Sequence, residues 1–172
     1  MAGPSTTATL GALWGGLGVA GLLGVAVVRL GARGWAAVEA GLTPVQWAAL
    51  AVLTAVFVQG EGRMALQRRW VPAVIERLRT LRSAPAPALL VLAPLHGLAL
   101  VGVDAGTAVR AWAGVAAVVA AVLLVGALPQ PWRGITDLAV AAALTWGLAC
   151  VLGSAPSLYR SRSSTRPEVE GS

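Results

Sequence analysis

The sequence contains no lysine, and it has only one cysteine and one histidine among its 172 residues. Cys150 has no partner for an internal disulfide bond, which excludes a small disulfide-stabilised fold. Cys150 and His96 together cannot supply the three or four side chains of a protein zinc site. The chain also lacks a phosphate-binding glycine loop and a nucleophile elbow. The sequence therefore predicts neither a metal site nor an enzyme.

Charged residues are also scarce, at 12% of the chain, about half the share expected of a soluble domain. Hydrophobic residues make up 57%. This apolar surface is divided among several runs, each approaching the roughly 20 residues that a helix needs to cross a bilayer. The composition therefore predicts an integral membrane protein.

The apolar runs predict an all-α, polytopic membrane protein with about five transmembrane helices in a single domain, residues 1–153. Thr43 and Pro44 are a helix-start signal for the second span. We expect the third span to bend near Pro94, because proline cannot donate a backbone hydrogen bond. The polar residues 154–172 are predicted to form a disordered tail. The predicted spans are 8–30, 42–60, 84–103, 111–128 and 135–153.

A predicted amphipathic helix, residues 71–82, follows the second span, and we expect the chain to turn near Trp70 before it. Its apolar residues fall within an arc of about 120° when placed at helical intervals. They are Val71, Val74, Ile75, Leu78 and Leu81. We predict that this helix lies on the membrane surface, either to anchor the protein or to dock an acidic partner.

The net charge of +6 comes from arginines beside apolar spans. This placement favours contact with anionic lipid headgroups over nucleic acid. Partners are therefore predicted to be the lipid bilayer and other membrane proteins. The predicted membrane-surface residues are Arg68, Arg69, Trp70, Arg77, Arg79, Trp132 and Arg133.

Polar residues inside the predicted spans are candidates for function, because they are costly to place in hydrocarbon. His96, Thr54 and Thr145 lie near the centres of three spans, and Glu61 follows the face of Thr54. One hypothesis is a small polar cavity that holds a proton, a quinone or a haem. The alternative is a structural histidine, hydrogen-bonded to a threonine or to a carbonyl freed by Pro94.

Small residues repeat every four positions in three spans, which is typical of close helix packing in membranes. Within the segment PQPWRGITD, Arg133 and Asp137 are spaced to form an ion pair. The repeats are Ala12, Gly16, Ala20 and Gly24; Ala113, Ala117 and Ala121; and Ala139, Ala143 and Gly147.

Two short motifs carry a resemblance to a known family. QGEGRMALQ is followed by Trp70, Val71 and Pro72, and LPQPWRGITD precedes the last span. Together they resemble an uncharacterised family of small multi-pass bacterial inner-membrane proteins, over the range from Thr43 to Leu152. The resemblance implies a location in the bacterial inner membrane (the plasma membrane). It implies no activity and no cofactor.

These observations lead to two hypotheses of function. The first is a structural, assembly or interaction role in the membrane, and the alternative is a small transporter or a haem or quinone carrier built around His96. With five spans, seven arginines face the side of the N-terminus and six face the other. The density of arginines in residues 61–83 favours placing that segment and the N-terminus in the cytoplasm, with the tail outside.

Overall fold

The computed structural model describes residues 6–83, 86–154 and 156. Every regular element among these residues is helical, which confirms the predicted all-α class. Residues 157–172, most of the predicted tail, lie outside the described residues. The elements are α1 (Thr6–Glu39), α2 (Pro44–Phe57), a π segment (Val58–Trp70), α3 (Val71–Ser83), α4 (Pro87–Val91), α5 (Ala93–Gly97), α6 (Ala105–Gly126) and α7 (Trp132–Ser154).

Among the described residues, four helices are long and apolar enough to cross a membrane. Each overlaps one predicted span, and the predicted span 84–103 has no such helix. Many of their large apolar side chains are exposed, including Leu17 at 65% and Leu124 at 72%. Hydrocarbon is the solvent that suits such a surface. The four helices are Thr6–Glu39, Pro44–Ser83, Ala105–Gly126 and Trp132–Ser154.

Side-chain caps explain where two of these helices begin. Thr43 and Gln46 form a capping box, in which Thr43 Oγ1 accepts from the Gln46 N–H and Gln46 Oε1 accepts from the Thr43 N–H. At the start of α6, Asp104 Oδ2 accepts from the Thr107 N–H at 2.8 Å. This hydrogen bond holds the pKa of the Asp104 carboxyl below its ordinary value.

The sequence predicts that the chain turns near Trp70, but the helix that begins at Pro44 does not stop there. It continues through the π segment into α3 and ends at Ser83, a length of 40 residues, or about 60 Å. Pro72 is the second residue of α3, directly after the π winding. A proline ring clashes with the carbonyl four residues earlier in a regular α-helix, and the wider π winding changes that geometry.

Helices α1 and α7 run antiparallel, and they cross where both carry glycine. A Cβ added to Gly34 would lie 2.8 Å from the Gly134 carbonyl oxygen, and a Cβ added to Gly134 would overlap Ala37. At the other end of the same pair, Val19 of α1 and Val151 of α7 share one buried cluster. Small residues at a crossing allow the two backbones to approach closely.

The bundle therefore has two distinct ends. The loop end carries Glu39, Pro44 and Trp132, where short connections join α1 to α2 and α6 to α7. Arg133 donates a hydrogen bond to the Gly126 carbonyl there. The basic end carries α3, α4 and α5, because Val71, Val74 and Leu78 share the cluster of Val19 and Val151. Thr6 and Ser154, the first residue of α1 and the last of α7, both belong to the basic end.

The third predicted span, residues 84–103 with a bend near Pro94, is not one continuous helix in its described part. The described part of this segment forms α4 and α5, separated at Leu92, and Pro87 and Pro94 each lie in a first helical turn. Two later residues, Ala99 and Gly102, have positive φ angles of 62° and 69°. Prolines restart the helix and the left-handed residues reverse the chain, so an apolar composition here does not produce one long helix.

The predicted repeats of small residues have mixed outcomes. On α7, Ala139, Ala143 and Gly147 are buried, so that repeat is confirmed as a packing face. On α1, the repeat member Ala12 is buried and Gly24 faces open space, whereas the buried glycines Gly11, Gly15 and Gly34 lie outside the repeat. The Ala113, Ala117 and Ala121 repeat of α6 is exposed. α6 has no buried residue, so it lies at the edge of the bundle.

We expect Gly134→Ala to destabilise the bundle by about 1–3 kcal/mol, because the added methyl group would overlap Ala37 and force α1 and α7 apart. Gly24→Ala is the matched control, since a Cβ there meets no atom within 4 Å. Unfolding of both variants in mixed micelles measures the difference. Equal stability of Gly134→Ala and Gly24→Ala would contradict the glycine crossing.

Candidate functional site

The basic half of the long helix, residues 58–83, is the most distinctive surface of the molecule. Arg63, Arg68 and Arg69 are exposed. Arg79 forms an ion pair with Glu76 at 3.6 Å, a surface contact of little energetic weight. The predicted lipid contacts Arg68 and Arg69 therefore point away from the protein.

The apolar face of α3 packs against the bundle. The five residues predicted for this face are the five that α3 buries: Val71, Val74, Ile75, Leu78 and Leu81. Trp70 also packs against this cluster. α3 thus has the predicted amphipathic pattern, but its apolar side is covered by α1, α5 and their neighbours. A location of α3 at the membrane surface stays a prediction.

Two hydrogen bonds hold the segment around α5 in place. Arg77 is half-buried, and its Nη1 donates to the Gly97 carbonyl at 3.0 Å, where the helix dipole of α5 favours a cation. Trp14 Nε1 donates to the Val91 carbonyl at 3.2 Å. Of the predicted surface residues, Arg77 therefore fastens α3 to α5 within the protein.

His96 lies in α5 with 7% of its surface exposed. Its Nδ1 is 3.0 Å from the Val101 carbonyl oxygen. A carbonyl can only accept, so Nδ1 carries the proton of this hydrogen bond. Gly102 fits against the ring, because a Cβ there would lie 3.0 Å from Nδ1. His96 therefore fixes the reversal of the chain after α5.

The other predicted members of the polar cluster lie on different helices. Thr145 donates to the Ala141 carbonyl one turn earlier in α7. Thr54 is on α2, which packs on α7 and the π segment, whereas α5 packs on α1, α3 and α4. Glu61 is exposed on the π segment. Among the hydrogen bonds of the described residues, none joins two of these four side chains. The described residues therefore show no hydrogen-bonded cluster of these four side chains.

Thr54 instead borders a shallow groove of about 510 Å³ along one face of α2. Its lining is almost entirely apolar, and every lining residue comes from α2 or the first residue of the π segment. They are Trp47, Leu50, Ala51, Thr54, Ala55 and Val58. This outward face suits lipid chains, because it offers a single hydroxyl group as a polar contact.

The π segment contacts α7 through residues that, apart from Gly147, the sequence did not single out. Trp146 Nε1 donates to Gln67 Oε1 at 3.0 Å. A Cβ added to Gly147 would meet Leu66, and one added to Gly62 would lie 3.5 Å from Trp146. The repeat of α7 ends at Gly147, so the sequence could have shown that another helix packs there. It could not have shown that this helix is the π segment. These contacts fix the start of the basic half against α7.

A buried acid, Asp137, was also not recognised as a partner of α1. It has 4% exposure, and its Oδ2 has no hydrogen bond among the described residues. Arg33 Nε is 3.9 Å from that oxygen and donates instead to the Arg29 carbonyl. The predicted pair was Arg133 with Asp137, yet Arg133 bonds to Gly126. Asp137 is in phase with Gly134 on α7, a spacing that could have placed it toward α1.

The two predicted surface residues of the PQPWRGITD segment lie at the loop end. Trp132 is 41% exposed, and the Arg133 guanidinium reaches the C-terminal carbonyl of α6. They are separated from Arg68, Arg69 and Arg79 by the length of α7. The predicted membrane-surface residues thus form two groups, one at each end of the bundle.

Comparison with protein-family models, curated proteins and solved structures found no match for this chain. The resemblance to small multi-pass bacterial inner-membrane proteins stays a prediction. Within the described residues, no group of three or more histidine, cysteine or acidic side chains could hold a metal ion. The basic half is therefore the candidate functional surface.

We expect His96→Gln to change stability by little more than the ~0.6 kcal/mol typical of a hydrogen bond between membrane helices, since glutamine also carries a donor. His96→Leu should cost more, about 1–3 kcal/mol, because the Val101 carbonyl would lose its partner. Unfolding in detergent and an absorption spectrum check this account. A haem or quinone band that disappears in a folded His96→Gln variant would contradict a structural histidine.

Proposed function

We propose that this protein is a structural or assembly component of the bacterial inner membrane, and that it acts through contacts with anionic lipid and other membrane proteins rather than by catalysis. The observation that supports this proposal is the continuity of the long helix Pro44–Ser83. An apolar half that suits hydrocarbon passes without a break into a half that carries six arginines.

Burial gives this basic half a fixed direction. α3 places Val74 and Leu78 in the protein interior with no exposed surface. The opposite side of the same turns must then face outward, and it carries the charged residues. The arginines are thus held by packing instead of by a flexible loop, so less conformational entropy is lost when a headgroup binds.

The height of these arginines suits the headgroup region. The helix is about 60 Å long, whereas the hydrocarbon core is about 30 Å thick. Counted from Pro44, Arg63 therefore falls close to the end of the first ~30 Å, and Arg68 and Arg69 fall just beyond it. A guanidinium binds phosphate through two parallel hydrogen bonds, and each arginine near an anionic leaflet contributes about 1 kcal/mol. We place α3 as a basic helix at or beyond the headgroups.

A test compares how strongly the protein retains phosphatidylglycerol and phosphatidylcholine when both lipids are supplied in detergent. Native mass spectrometry counts the lipids that stay bound, and we expect wild-type protein to retain phosphatidylglycerol preferentially. The triple variant Arg63→Gln, Arg68→Gln, Arg69→Gln should lose up to about a hundredfold of this preference, from ~1 kcal/mol for each arginine.

The control removes the same charge from the tail, by Arg160→Gln, Arg162→Gln and Arg166→Gln. We expect this control to keep most of the wild-type preference, because the proposed contact needs arginines fixed on the helix. Equal lipid preference in wild type and the first triple variant would contradict the proposal. Equal losses in both variants would show a general effect of net charge.

A further inference from the structure

We infer that the chain crosses the membrane four times, with the basic end of the bundle on the cytoplasmic side and the loop end outside. This inference rests on the proposed inner-membrane location, but it does not depend on lipid preference. It assigns the arginine-bearing surface to the anionic cytoplasmic leaflet.

The directions of the helices follow from their contacts. α1 descends from the basic end to the loop end, and α7 returns, because Gly34 meets Gly134 while Val19 and Val151 belong to one buried cluster. The long helix also rises from the loop end, since Gln67 reaches Trp146 in the second half of α7. These three helices each connect the two ends.

The segment between α3 and α6 enters the bundle and returns to the basic end. Along α1, Leu90 meets Gly11, Ala93 meets Gly15, and Gly97 lies near Val19. The eight steps of α1 from residue 11 to residue 19 correspond to about 12 Å, less than half of the hydrocarbon thickness.

The chain then reverses after α5. Gly102, at a φ of 69°, comes back beside Leu89. A segment that returns to its own starting level cannot change sides. The polar groups of this irregular backbone are shielded from lipid because it is packed within protein, here against α1 and α3.

α6 completes the count. It begins at Ala105, directly after the returning segment, and its last residue, Gly126, lies beside Arg133 at the loop end. With α1, the long helix and α7, the number of crossings is four. An even number places Thr6 and Ser154 on the same side.

Four crossings also change the distribution of arginines. Seven in the described residues belong to the basic half of the bundle, and three, Arg29, Arg33 and Arg133, belong to the loop half. Arg160, Arg162 and Arg166 follow Ser154 in sequence and lie outside the described residues. With five spans, all thirteen arginines of the chain, including these three, were divided seven to six between the two sides. The seven are Arg63, Arg68, Arg69, Arg77, Arg79, Arg82 and Arg110.

This asymmetry decides the orientation. Arginine and lysine accumulate on cytoplasmic segments near the ends of membrane helices, and the basic end carries the excess. Exposed tryptophans lie at both ends, with Trp35, Trp47 and Trp132 at the loop end and Trp14 and Trp112 at the basic end. Tryptophan anchors helices at membrane interfaces without favouring the cytoplasm.

Cysteine accessibility in intact cells tests this topology in a Cys150→Ala background. Ala40→Cys and Ala127→Cys mark the loop end, and both positions are exposed. Thr80→Cys marks the basic end, and Ser163→Cys marks the tail. A membrane-impermeant maleimide should label the first two in intact cells. Thr80→Cys and Ser163→Cys should remain unlabelled in intact cells and should be labelled after permeabilisation.

Two other results would overturn the inference in different ways. If all four positions reversed, the four crossings would stand and the orientation would be wrong. If Ser163→Cys were labelled together with Ala40→Cys, the number of crossings would be odd. Two variants mark each side, so one that fails to fold leaves the test intact. Lipid preference is measured separately, so its failure is distinguishable from either result.

Discussion

The close crossing of α1 and α7 fixes the direction of every other helix. Lipid chains provide no hydrophobic drive between helices, so association depends on contact between backbones that can approach closely. Gly34 and Gly134 make that approach possible near the loop end, and Val19 and Val151 complete the pair near the basic end. Because α1 and α7 are antiparallel, the remaining elements must connect one end to the other in a set order.

The second consequence concerns the arginines. A basic amphipathic helix would normally insert its own apolar face among lipids. Here α3 covers that face with α1 and α5, and Arg77 fastens it to the Gly97 carbonyl. The charged side is then presented by a rigid element. The long helix Pro44–Ser83 joins α3 to the apolar residues of α2 without an intervening loop. A loop at this point would allow α3 to move relative to α2.

Local patterns in the sequence identified the helical class, the helix start at Thr43 and Pro44 and the buried face of α3, because these depend on composition, helix-start residues and helical periodicity. Two features depended on tertiary contacts. Residues 86–103 have the composition of a span, yet Pro94 and the positive φ of Gly102 give two short helices and a chain reversal. Asp137 was assigned to its neighbour Arg133, because sequence spacing does not show that α1 brings Arg33 closer. His96 and Thr54 were grouped by depth alone, and depth does not specify which helices are neighbours.

The antiparallel arrangement of α1 and α7 is the central claim, and a distance measurement tests it most directly. Spin labels at Ala36→Cys and Thr136→Cys in a Cys150→Ala background would both lie near the loop end. Pulsed electron paramagnetic resonance in nanodiscs should then give a separation well below the ~30 Å thickness of the hydrocarbon core. A parallel arrangement, which an odd number of crossings requires, would place the labels at opposite ends. A separation of about 30 Å or more would contradict the account.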